Sequence, residues 1–114
     1  MRNEKEFVTY VVDLMQSIGP VRAKAMFGGA GLFLDGLMFA LVADNILYLK
    51  ADAASAERFK SRGLEAFSYH KQGKNYSMAY FQVPDDALED AEEMRDWANM
   101  AYTVALDAAA RKRK

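Results

Sequence analysis

Asp35-Gly36 stands between two apolar runs, Leu32-Phe33-Leu34 and Leu37-Met38-Phe39-Ala40-Leu41-Val42, and no other feature restricts the fold of this chain so strongly. A two-residue link between strands favours a turn with positive φ at both central residues, which selects Asp-Gly or Asn-Gly. Two antiparallel strands are therefore predicted to meet there. Asp44-Asn45, ahead of Ile46-Leu47-Tyr48-Leu49, repeats the signal in weaker form. The segment reads as a three-strand meander, preceded by a further strand near residues 21–27.

The flanking segments change periodicity. Phe7, Val11, Leu14 and Ile18 recur at three and four, the spacing of one helix face, until Gly19-Pro20 ends it. Residues 53–63 read as a short helix burying Ala56, Phe59 and Leu64. Residues 67–71 and 76–83 read as strands around a four-residue loop, Gln72-Gly73-Lys74-Asn75. Pro84-Asp85-Asp86 opens one long helix with Leu88, Ala91, Met94, Trp97, Ala101, Val104 and Ala108 along one side. The expected fold is α+β: a two-layer protein whose antiparallel sheet of about five to six strands packs with an N-terminal helix, a short middle helix and a long C-terminal helix.

A chain of 114 residues supports one hydrophobic core without metal or disulfide staples. It has no cysteine, which removes disulfides, thiolate metal sites and a Cys nucleophile, and one histidine, which removes a His pair. No signal-peptide pattern or long apolar run is present, so the expected location is the cytoplasm, with no membrane contact. Net charge is −1, and with the four cations of residues 111–114 set aside the body is −5. Such a body is a poor match for a protein that coats nucleic acid.

Catalytic motifs are not found. Gly29-Ala30-Gly31 runs into Leu32-Phe33-Leu34 and so lacks the third glycine and the helix of a dinucleotide loop, and the Lys-Ser/Thr of a phosphate loop is missing, so the stretch from Gly28 reads as a bend or bulge between strands. His70 reads as a strand residue, and the acids from Asp85 to Asp96 as a solvated face that offsets a helix dipole. No catalytic, cofactor-binding or metal residue is assigned, and no cofactor is expected. Cations and aromatics supply the candidate nucleic-acid or partner contacts: Arg22, Lys24, Tyr69, His70, Lys71, Lys74, Arg111, Lys112, Arg113 and Lys114. A small-ligand module is the remaining alternative, and it predicts a pocket between the glycine segment and the Tyr69/His70 strand.

The string Ala25-Met26-Phe27-Gly28-Gly29-Ala30-Gly31-Leu32-Phe33-Leu34-Asp35-Gly36-Leu37-Met38-Phe39-Ala40-Leu41, followed by Leu47-Tyr48-Leu49-Lys50-Ala51-Asp52, resembles the N-terminal domain of the TfoX/Sxy competence regulators. The likeness continues in order through Phe67-Ser68-Tyr69, Gly73-Lys74, Ser77-Met78-Ala79-Tyr80, Val83-Pro84, Leu88-Glu89-Asp90 and Trp97-Ala98. It implies a bacterial, non-enzymatic regulatory module of two-layer α+β fold, acting through protein contacts with transcription machinery. The implied partner is a transcription activator of the cyclic-AMP receptor type or RNA polymerase. Residues 1–110 would form the domain and 111–114 a basic tail, standing alone without the helical second domain of those regulators. Weak direct DNA binding and small-ligand binding stay open as alternatives, as does a homodimer. The motif residues Met26, Phe27, Gly28, Gly29, Gly31, Asp35, Gly36, Pro84 and Trp97 are expected to be mainly structural.

Overall fold

In the computed structural model, which describes residues 4–26, 28–71 and 74–112 apart from the side chains of 69–78, both predicted turns form. Asp35 and Gly36 adopt φ of 51° and 80°, and Leu34 pairs with Leu37 across them. Asp44 and Asn45 adopt 51° and 60°, with Ala43 opposite Ile46. Asp and Asn accept this left-handed geometry better than other side chains because they are short and bond to nearby backbone.

The described residues run through α1 (Glu4–Leu14), a 3-10 turn (Gln16–Ile18), β1 (Arg22–Met26), β2 (Gly29–Leu34), β3 (Leu37–Ala43), β4 (Ile46–Lys50), α2 (Ala53–Ser61), β5 (Ala66–Lys71), β6 (Lys74–Gln82), α3 (Asp85–Glu89) and α4 (Ala91–Lys112). They form a six-stranded antiparallel sheet in the order β1-β2-β3-β4-β6-β5. The α+β architecture is the expected one, with three corrections of detail.

The first correction concerns the glycine segment. Gly29 to Gly31 lie inside β2, and Met26 pairs with Gly29 directly across the turn that contains Gly28. The bulge sits instead in β3. Leu32 pairs with Ala40 and Phe33 with Met38, so Phe39 has no partner on β2. The extra residue puts Phe39, Ala40 and Val42 all into the main core while Met38 and Leu41 join the opposite face.

The second correction is at the last helix, which is two helices. Asp90 leaves helical geometry (φ −141°, ψ 114°), and its Oδ1 accepts from the amides of Glu92 (2.9 Å) and Glu93 (3.5 Å). A well-placed capping carboxylate thus restarts the helix where the apolar spacing runs on. The third is the β5–β6 hairpin: β6 begins at Lys74, which pairs with Lys71, so Lys74 and Asn75 belong to the strand. Residues 72 and 73 lie outside the described residues.

The helices cover one face of the sheet. Val11 from α1, Met15 just after it, Phe59 from α2, and Met94, Ala98, Ala101 and Ala105 from α4 close over Leu32, Phe39, Ala40, Val42, Leu47, Leu49 and Phe81. The alanines leave α4 close to the strands, and the Tyr10 hydroxyl donates to the Leu88 carbonyl to tie α1 to α3. On the other face Leu41, Phe67 and Tyr80 form a smaller cluster flanked by Met38, Ala43 and Tyr48.

α2 starts with a reciprocal cap. Asp52 Oδ1 accepts from the Ser55 amide at 2.8 Å, and Ser55 Oγ accepts from the Asp52 amide at 3.0 Å. Asp52→Ala is expected to cost about 1 kcal/mol near neutral pH. The bonds from the Ser55 amide and hydroxyl hold the Asp52 carboxyl below its ordinary range. A lowered folded-state pKa adds stability that is complete above the unfolded value of about 4 and vanishes as pH falls through the folded value. Urea unfolding should therefore show a gap between wild type and Asp52→Ala at neutral pH that narrows at strongly acid pH; an equal gap at both would contradict this account.

Candidate functional site

β1 is the sheet edge nearest α1, and Arg22, Ala23, Lys24 and Ala25 are all exposed, on both sides of the strand. Strand alternation sends Arg22, Lys24 and Met26 to the face away from the helices. There Arg22 lies across from Phe33, and Lys24 begins a row through Gly31, Leu41 and Tyr48. A groove of about 600 Å3 follows this edge, lined by Pro20, Arg22, Ala23, Lys24, Phe33, Asp35 and Gly36. Its acid, Asp35, accepts a 3.3 Å hydrogen bond from the Tyr102 hydroxyl. Partial burial and that carboxylate push the Tyr102 pKa up. Arg22 and Lys24 are thus two cations to this one acid along the groove.

The structure separates the other candidate contact residues from this edge. Tyr69, His70, Lys71 and Lys74 belong to the β5–β6 hairpin at the opposite side of the sheet, where Tyr69 pairs with Tyr76 and His70 with Asn75; their side chains lie outside the described residues. Arg111 and Lys112 end α4. Arg113 and Lys114 lie outside the described residues.

Lys112 has a neighbour that sequence reasoning missed. Lys50, at the end of β4, lines a shallow hollow with Lys112, Met38 and Ala108, and its ammonium sits 5.1 Å from the Tyr80 ring centroid. Burial, and then Lys112, hold its pKa below the ordinary lysine value. A single lysine closing an apolar strand gives no hint of such a pairing.

The motif residues are placed in turns, contacts and core. Met26 folds over Gly31, whose position is also crowded by Met38 and Phe33; Gly28 and Gly36 sit in turns, and Gly29 lies tight against the Val42 carbonyl. Pro84 is buried at the head of α3. Trp97 packs on Phe59 with ring centroids 5.1 Å apart, and the guanidinium groups of Arg58 and Arg62 lie over it at 5.1 and 5.8 Å. Phe27 lies outside the described residues.

The pocket expected between the glycine segment and the Tyr69/His70 strand does not form, because β3, β4 and β6 separate β2 from β5. A hollow of about 360 Å3 does adjoin the glycines, on the helix side, lined by Glu4, Lys5, Val8, Ala25, Gly28, Gly29 and Ala30. Among the described residues no group of three or more His, Cys, Asp or Glu side chains is placed to hold a metal. Tyr48 and Tyr80 have pKa values raised chiefly by burial in the second cluster. Among the described residues no helix is long and apolar enough to cross a membrane.

Comparison with known proteins adds what geometry cannot. The family model described as the TfoX N-terminal domain matches residues 13–105. DNA transformation protein TfoX1 of Aliivibrio fischeri is 33% identical over 82 residues, covering 72% of this chain and 37% of that protein. Protein Sxy of Escherichia coli is 28% identical over 94 residues, covering 82% of this chain and 41% of that protein. The chain therefore spans about two fifths of the length of these relatives.

Proposed function

Because the chain belongs to the TfoX N-terminal domain family, we propose that it is a non-enzymatic regulatory module that works in the cytoplasm through protein contacts with transcription machinery. Residues 1–110 are its working unit and 111–114 a basic tail. The observation that carries this reading is where the motif residues go. Gly28, Gly29, Asp35, Gly36, Pro84 and Trp97 serve turns, close contacts and core, and the exposed β1 edge, with the groove that the Asp35-Gly36 turn helps to line, is a surface open to recognition among the described residues. TfoX1 is by name a DNA transformation protein, and a place in the control of DNA uptake is the corresponding role for this chain.

Affinity capture of the tagged protein from host lysate, with and without nuclease, tests the proposal. Recovery of RNA polymerase or a cyclic-AMP receptor-type activator after nuclease treatment is the expected result. Partners that vanish with nuclease would replace it with direct DNA binding, and repeated empty capture would overturn it.

A further inference from the structure

Resting on that regulatory reading, we propose that β1 is a docking edge for an extended acidic segment of a protein partner, which adds to the sheet as a seventh strand and sets its carboxylates against Arg22 and Lys24. β1 pairs with β2 alone, and every second residue of an edge strand turns its N–H and C=O outward. Those groups are a template for one more strand.

The chemistry of the occupant follows from the two sides of β1. On the open face Arg22 and Lys24 flank the groove, and among the described residues neither has an ion-pair partner: the ion pairs there are Arg62–Asp86 and Arg95–Asp96. On the helix side Ala25 and Val8 give the hollow beside the glycines its apolar wall, with Glu4 and Lys5 of α1 also lining it. A strand with acids at alternate positions and small apolar residues between them matches both sides at once. A second copy of this chain does not. Pairing β1 antiparallel with itself brings Arg22 and Lys24 face to face with the same two cations, and like charges across a strand pair are destabilising. Duplex DNA would use the two charges but neither the outward amides nor the hollow. Two phosphate contacts alone leave little affinity at physiological salt.

The test uses the isotope-labelled full chain and a capped seven-residue peptide of alternating Glu and Val. NMR titration is expected to shift the amides of residues 22–26. Arg22→Glu with Lys24→Glu should weaken the peptide about tenfold, the size of a lost pair of cross-strand charge contacts. Both positions are exposed, and circular dichroism checks that the variant is folded. N-methylating one alternate set of peptide amides should abolish binding to the unaltered protein, and methylating the other set should not. Absence of β1 shifts, or equal binding by both methylated peptides, would overturn the strand addition. So would duplex DNA that shifts the same amides and is not displaced by the peptide. A transcription partner captured equally by wild type and by the charge-reversed variant would overturn the docking edge and leave the regulatory reading intact. Peptide binding with empty capture would support the edge and overturn that reading.

Discussion

Gly29→Ala will lower the unfolding free energy by at least about 3 kcal/mol, well beyond the usual effect of adding one methyl group. A Cβ at this position would sit 2.0 Å from the Val42 carbonyl oxygen, with the Glu4 carboxylate 3.2 Å away. The obstructing atom is backbone in β3, so no rotamer change relieves it. β2 must instead lift from β3, and that pairing joins β1 and β2 to the rest of the sheet. Gly28→Ala is the control. Nothing lies within 4 Å of its Cβ position, and its φ of 75° sets the penalty. That penalty is about 1–2 kcal/mol, the cost of left-handed backbone. Urea unfolding of both variants checks the order, and a Gly29→Ala protein as stable as Gly28→Ala would refute the close-approach explanation.

The other large effect is expected from Phe59→Ala. Phe59 is 0% exposed, stacked on Phe81 at 5.4 Å with 13° between the rings and tilted against Trp97. Truncation removes the side chain through which α2 reaches the core and leaves a cavity between three elements. The expected loss is about 3–5 kcal/mol. Against a total of about 5–15 kcal/mol for a domain of this size, that is a large share. Tm should fall by roughly 12 °C or more. Trp97 is the sole tryptophan, so its emission should shift to the red as the cavity admits water. A variant with unchanged Tm and emission would show that α2 is held by its cap and not by Phe59.

Features set by neighbouring residues were legible in the sequence. Asp35-Gly36 and Asp44-Asn45 form turns because their own backbone preferences match the geometry, whereas the first helix, expected to run to Gly19-Pro20, ends at Leu14 and gives way to a 3-10 turn over Gln16–Ile18. The break at Asp90 went unread although it has a local sign, Asp90 followed three residues on by Glu93 in the pattern of a capping box. Leu88, Ala91 and Met94 hid it by keeping helical spacing across the break. The β3 bulge had no local sign. The run from Leu37 to Val42 is apolar throughout, so no alternation marks where the two faces change phase, and only packing of Phe39 against Tyr102 and the helices reveals it. The candidate site was half legible. Arg22 and Lys24 were identified as cations, but their separation from the β5–β6 hairpin depends on β6 entering between β4 and β5. Sheet order of that kind is decided by tertiary packing and not by residue spacing.

That strand order also has a consequence in time. β1 to β4 zip through successive tight turns, and β5 finds β6 in the same way, so two antiparallel units can assemble from local contacts alone. The β4–β6 seam joins Lys50 to Tyr80 only after the chain has closed a loop over α2 and β5. Loop closure of this length is an entropic toll collected before any contact rewards it. The β4–β6 seam is therefore the pairing of this sheet that carries the largest loop-closure cost, about thirty residues of chain against the short turns that close the other pairs.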